Sequence, residues 1–160
     1  MPSQPPFRAL GEFIQALEQE KIPLILIGMM AAVEQGAPLS TIDYDFWVDL
    51  PKRQVVRLYQ VVQRLGGTLV APTYYELRDG TQVNVVFEPT GLRSFAAEYA
   101  NCRLSRLGAC RIRVLPLSRV IASKEAAGRE KDLSTLPVLK RTLRLQKKLA
   151  QGPKRRPLQE

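Results

Sequence analysis

The 160-residue sequence predicts an α/β (α+β) fold: a mixed β-sheet flanked by helices, with a C-terminal helical segment. Three observations lead there. A β-rich apolar run over residues 21–27 stops at Gly28, and a helix-favouring stretch follows it. Residues 41–50 alternate apolar and polar side chains around Asp43 and Asp45, as a strand with one buried face does. The pair Asp79-Gly80 separates two further strand-like runs, 74–78 and 81–88.

The remaining elements fall into order around these. Phe7, Leu10, Phe13, Ile14 and Leu17 recur at spacings of three and four, which predicts a helix over residues 7–20. The run 21–27 reads as a buried strand, and 29–35 as a helix closed by Gly36 and Pro38. After the strand 41–50, Pro51 marks a break. Val55, Leu58, Val62 and Leu65 give a helix over 52–65 that ends at Gly66-Gly67, and a short strand follows over 68–70.

A two-residue turn at Asp79-Gly80 would set Arg78 against Thr81, Glu76 against Val83 and Tyr75 against Asn84. Glu76 would then point away from the Asn84 face. Residues 91–100 suit a short helix, and 102–114 suit a hairpin turning near Gly108. A helix N-capped by Ser118 over 117–128 and a last helix over 131–150 complete the pattern.

Composition narrows the functional classes. Apolar residues make up 45% and charged residues 24%, as in ordinary globular chains, so disorder is not favoured. This size suits one domain, expected over 1–150, with a basic flexible tail over 151–160. The longest apolar stretch, 22–33, is too short to cross a bilayer, and the N-terminus lacks the pattern of a secretory signal; a cytoplasmic protein is expected. In that compartment Cys102 and Cys110 read as two reduced thiols. The absence of histidine excludes His-based triads, His-ligated zinc and imidazole acid–base chemistry. Part of the net charge of +9 lies in 147–160, a run that could meet phosphates or remain a solvated end.

Asp43 and Asp45 leave the same face of their strand, ~6.5 Å apart along the backbone. Mg²⁺ is commonly held by one or two carboxylates while substrate phosphates and waters complete its shell, so the pair suits a metal-bound nucleoside triphosphate. A solvated strand face is the other reading of Asp-x-Asp.

The order of these residues resembles the nucleotidyltransferase superfamily, particularly small bacterial members related to toxin and antitoxin transferases. The likeness lies in Ile25-Leu26-Ile27-Gly28-Met29-Met30-Ala31, in 36–45 leading to the aspartates, and in 83–86. It continues through Val114-Leu115-Pro116-Leu117-Ser118, Lys124, Ala126-Ala127-Gly128-Arg129, Lys131 and Asp132. The resemblance implies Mg²⁺ or Mn²⁺ on Asp43 and Asp45. It also implies an NTP bound around Gly28, Met29, Ser40, Thr41, Lys124 and Arg129, with a third catalytic position at Asn84. Lysines and arginines on helices usually face solvent, and that is the other reading of Lys124 and Arg129. Asp132 reads first as a helix cap or ion-pair partner, and Trp47 as strand support rather than a platform for a nucleobase.

Three departures from the family pattern bear on activity. Gly28 is followed by Met29-Met30 where the family has glycine or serine, and the loop 37–41 offers no arginine. Asn84 stands where a third carboxylate is expected; its amide can neither act as a base nor add negative charge. Glu88, four residues along the same strand, would lie ~13 Å away. The sequence thus leaves open an Mg-dependent transfer of a nucleoside monophosphate to a hydroxyl of RNA, protein or a small molecule. It also leaves open a catalytically impaired nucleotide-binding regulator, and a basic RNA or toxin–antitoxin partner.

Overall fold

The computed structural model describes residues 7–152. The N-terminal stretch 1–6 and nearly all of the tail expected over 151–160 lie outside the described residues. The elements are α1 (Arg8–Gln19), β1 (Leu24–Ile27), α2 (Gly28–Glu34), β2 (Asp43–Val48), a 3-10 turn (Lys52–Gln54), α3 (Val56–Arg64), β3 (Thr68–Ala71), β4 (Tyr74–Glu76), β5 (Gln82–Val86), α4 (Phe95–Ala100), β6 (Arg103–Leu107), β7 (Cys110–Val114), α5 (Leu117–Ala127) and α6 (Glu130–Ala150). Among the described residues, no helix is long and apolar enough to cross a membrane.

The strands form one mixed sheet in the order β3-β4-β5-β2-β1-β7-β6. At its centre β2 pairs antiparallel with β1 and parallel with β5, while β1 pairs parallel with β7. Alternation divides β2 between two environments. Tyr44, Phe46 and Val48 are buried on one face with Leu24, Leu26, Val83 and Val85. Helices α1 and α3 cover that face: the Phe13 ring lies 6.3 Å from Phe46 and Tyr59 meets Tyr75 edge-on at 6.0 Å. Fully burying a side chain such as Phe13 or Phe46 stabilises the fold by about 1.5–3 kcal/mol. The opposite face carries Asp43, Asp45 and Trp47, and α2 and α5 pack against each other beside it.

Several boundaries differ from the sequence expectation for local reasons. Lys21 has φ 57 and Pro23 cannot donate a ladder hydrogen bond, so β1 begins at Leu24. Helix α4 starts only at Phe95, where the Ser94 hydroxyl accepts from the Ala97 amide at 3.2 Å. The cap of α5 is Pro116, not Ser118, which lies inside the helix; a proline before the first turn needs no amide partner.

The largest correction concerns the β4–β5 turn. Its loop holds three residues, Arg78-Asp79-Gly80, because Leu77 and Thr81 pair through a 2.8 Å hydrogen bond and the Gly80 amide donates to Leu77 at 2.9 Å. Gly80 takes φ 89, the left-handed conformation that such a three-residue loop demands. The pairing therefore slips by one: Glu76 faces Gln82, Tyr75 faces Val83 and Tyr74 faces Asn84. A one-residue slip exchanges the two faces. Tyr75 becomes fully buried core, whereas Tyr74 and Glu76 move to the face of Asn84, contrary to the two-residue count.

Candidate active site

The strand β1 ends at Ile27, directly across from Asp45. The next residue, Gly28, turns the chain into α2 with φ 68, and an added Cβ there would stand 2.6 Å from Asp45 Oδ2. Glycine is thus required twice at this point, for the backbone angle and for the closeness of the carboxylate.

Parallel pairing sets Asp43 beside Gln82 and Asp45 beside Asn84. The Tyr74 hydroxyl lies 3.0 Å from Asp43 Oδ1. Burial pushes the Asp45 carboxyl above the usual range; hydrogen bonding from Asn84 opposes this, Asp43 reinforces it, and Lys124 and Lys131 oppose it. Thr73 Oγ1 lies 3.5 Å from Asn84 Oδ1, which turns the amide nitrogen toward Asp45.

Cations gather across from the carboxylates. Asp132 is 1% exposed. It accepts from Lys124 Nζ at 3.3 Å, from Arg129 Nε at 2.6 Å and from Arg129 Nη2 at 3.3 Å. Burial alone would raise the Asp132 carboxyl, but the hydrogen bonds from Arg129 and Lys124 overcome it and hold the group below the ordinary range. Asp132 in turn raises the Arg129 guanidinium.

These groups line one cavity of about 820 Å³. Asp43, Asp45, Asn84, Gly28, Met29, Ser40, Thr41, Lys124 and Arg129, the nine positions singled out in the sequence, all border it. So do Tyr74, Glu88, Lys131 and Asp132, which sequence reasoning left out of the site. The expected Glu88 distance assumed a straight strand, but β5 ends at Val86 and the chain bends over Phe87–Glu88 into the cavity rim. Trp47 is only 5% exposed and donates from Nε1 to the Phe87 carbonyl at 3.1 Å, so it supports the strand. Cys102 and Cys110 are unpaired.

Among the described residues, no three His, Cys, Asp or Glu side chains gather closely enough to hold a metal alone. The two adjacent carboxylates nevertheless fit a divalent ion that draws its remaining oxygen ligands from substrate phosphates and water, as Mg²⁺ does. The glycine beside Asp45 keeps side-chain bulk away from that carboxylate.

The seven-stranded mixed sheet flanked by helices is a nucleotidyltransferase-like fold. Comparison with solved structures bears this out. The chain is similar to the antibiotic-resistance factor ANT(2'')-Ia, with a TM-score of 0.52, 15% identity and 89% of each chain covered. A Thermotoga maritima protein to which nucleotidyltransferase activity is ascribed gives a TM-score of 0.56 at 19% identity, over 82% of this chain and 89% of that one. The lincosamide antibiotic adenylyltransferase LnuA, lincomycin-bound, gives 0.54 at 11% identity, over 83% and 95%. No sequence-family model and no curated protein matches the chain.

Proposed function

We propose that this chain transfers a nucleoside monophosphate from a nucleoside triphosphate to an acceptor hydroxyl. The observation that carries this reading is that Asp43 and Asp45 border a single cavity together with Lys124, Arg129 and Lys131, with Lys124 and Lys131 near enough to act on the Asp45 carboxyl. In the reaction the acceptor oxygen bonds to the α-phosphorus, the α–β anhydride bond breaks, pyrophosphate leaves and the hydroxyl proton passes to water. Asp43 and Asp45 would hold Mg²⁺ or Mn²⁺, which when bound supplies charge neutralisation at the phosphates. Lys124, Arg129 and Lys131 provide fixed positive charge for the triphosphate, and Asp132 keeps the first two oriented. Gly28 leaves the approach to Asp45 free of side-chain bulk, while Ser40 and Thr41 border the cavity as hydroxyl partners.

The acceptor on this reading is a small molecule rather than RNA or a protein partner. A cavity of about 820 Å³ lies within the usual range of small-molecule sites. The similarity to LnuA, crystallised with lincomycin, supports the same choice. Asn84 across from Asp45 favours one second reading, a protein that binds the nucleotide and turns it over poorly or not at all.

Incubation with each α-labelled NTP, Mg²⁺ or Mn²⁺, and panels of hydroxylated small molecules, total RNA and cell protein tests both. Label on a small molecule together with pyrophosphate release, both lost in Asp43→Asn and Asp45→Asn, is the expected result. Tight nucleotide binding without transfer would establish the regulator instead, and label on RNA or protein would move the acceptor to that class.

A further inference from the structure

Every atom of Asp43 and Asp45 that meets a cation must first be aimed, and the residue best placed to aim Asp43 is one the nucleotidyltransferase resemblance does not mention. Tyr74 reaches the site only because the β4–β5 loop has three residues. Its strand partner is Asn84, whereas Gln82 is the partner of Asp43, so the phenol crosses diagonally over Gln82 to arrive at Asp43. Gln82 is the diagonal neighbour of Tyr74 on the adjacent strand, and Asp43 lies one strand further, so the phenol spans β5 to reach it.

The hydroxyl sits 3.0 Å from Asp43 Oδ1 and also lies against Gln82 Oε1, so two acceptors face one phenolic proton. A phenol has one proton, and an ionised carboxylate only accepts. The proton therefore serves Asp43. The structure sets Gln82 Oε1 against the same hydroxyl, and a half-turn of that amide, which exchanges its two ends, would present its N–H to the phenol oxygen instead. In that orientation a directed chain runs from the Gln82 amide to the Tyr74 hydroxyl to Asp43. It occupies one lone pair of the carboxylate and leaves Oδ2 free.

We propose that Tyr74 is a positioning residue of the divalent-cation site: its hydroxyl, oriented by Gln82, fixes the rotamer of Asp43 so that the free oxygen faces Asp45 and the cavity. This rests on the reading of Asp43 and Asp45 as metal ligands. Tyr74 touches neither phosphate nor acceptor in this role. Hydrogen-bond partners that orient metal-ligating carboxylates commonly change affinity about 10-fold or more when removed.

The test is a Mn²⁺ titration of the metal-free protein, followed by electron paramagnetic resonance of the free ion, for wild type, Tyr74→Phe and Gln82→Met. Thermal unfolding is run alongside. The expected result is an about 10-fold weaker Mn²⁺ affinity in Tyr74→Phe and a smaller loss in Gln82→Met, with melting temperatures near wild type. Equal affinity in wild type and Tyr74→Phe overturns the positioning role while leaving the cation site intact. Failure of wild type to take up Mn²⁺, alone or with a non-hydrolysable NTP, overturns the cation site itself. If Tyr74→Phe fails to fold, the Gln82→Met comparison decides: unchanged affinity there overturns the directed chain.

Discussion

Asn84 stands directly across from Asp45 on the neighbouring parallel strand, so the position where the family carries a third carboxylate faces the second one at strand-pair distance. An amide there adds no charge to a carboxyl that burial already pushes up, and its hydrogen bonding helps keep that carboxyl ionised. Asn84→Asp reverses both effects. Like charges directly opposite on a sheet destabilise it, so the metal-free variant should lose about 1 kcal/mol. Saturating Mn²⁺ should then raise its melting temperature by more than it raises that of wild type, because the added ligand tightens binding to the folded state only. Paired melts with and without Mn²⁺ check this, and equal metal-induced increments would show that Asn84 is not at a ligand position.

Gly28→Ala tests the approach to the aspartate pair. Alanine disfavours φ 68, and its Cβ would come within 2.6 Å of Asp45 Oδ2. The side chain of Asp45 must then rotate or β1 must shift. A destabilisation of about 2 kcal/mol is expected, within the range seen when a positive-φ glycine gains a side chain and a contact is forced. Nucleotide affinity should fall more than stability predicts, measured by calorimetry on folded protein below its melting temperature.

Much of this was legible in the sequence. Alternation over 41–50 gave the strand, the common face of Asp43 and Asp45, and the burial of Tyr44 and Phe46. The Gly28 break located the start of α2 because a left-handed backbone there has few alternatives. What was not legible depended on one turn. Asp79-Gly80 fits both a two-residue loop and a three-residue loop ending in glycine, and local sequence does not separate them. The choice was made by the rest of the sheet: only the three-residue loop buries Tyr75 with Val83 and Tyr59. Tyr74 was therefore assigned to the wrong face, and its contact with Asp43 was invisible. Lys131 and Asp132 entered the sequence reading only as part of the family likeness, because their approach to the cavity depends on how α5 and α6 dock, a long-range packing outcome that spacing along the chain does not encode.

Asp45 should be a residue that the fold tolerates at some cost. Its folded-state pKa is raised, chiefly by burial, so ionisation opposes folding. That penalty develops as pH rises from the unfolded value near 4 through the folded value, and it is complete above it. Asp45→Asn removes it. The metal-free variant should be more stable than wild type at pH 7 by ~1 kcal/mol, about 2–4 °C in a chain of this size, and inactive in transfer. The gain should vanish at pH values below about 4, where wild type is protonated in both states. A variant less stable than wild type at pH 7 would mean that Asp45 serves the fold, not a site.

Asp132 presents the opposite sign. Its carboxyl is buried, yet three hydrogen bonds from Lys124 and Arg129 hold its pKa below the ordinary range. Stability from a depressed carboxylate is fully present above the unfolded value near 4 and is lost as pH falls through the folded value. Asp132→Asn keeps the shape but removes the charge, leaving the Lys124 ammonium, with only 15% of its side chain exposed, without its partner. Breaking a buried pair in this way costs about 3 kcal/mol, near the lower end of the measured range because much of Arg129 remains in solvent. Urea unfolding at pH 7 should therefore show a large loss, and the gap between variant and wild type should close as pH falls below 4. The two aspartates then separate by role: stability rises when Asp45 is neutralised and falls when Asp132 is, as expected if one carboxylate is held ready for a cation and the other is already satisfied by two.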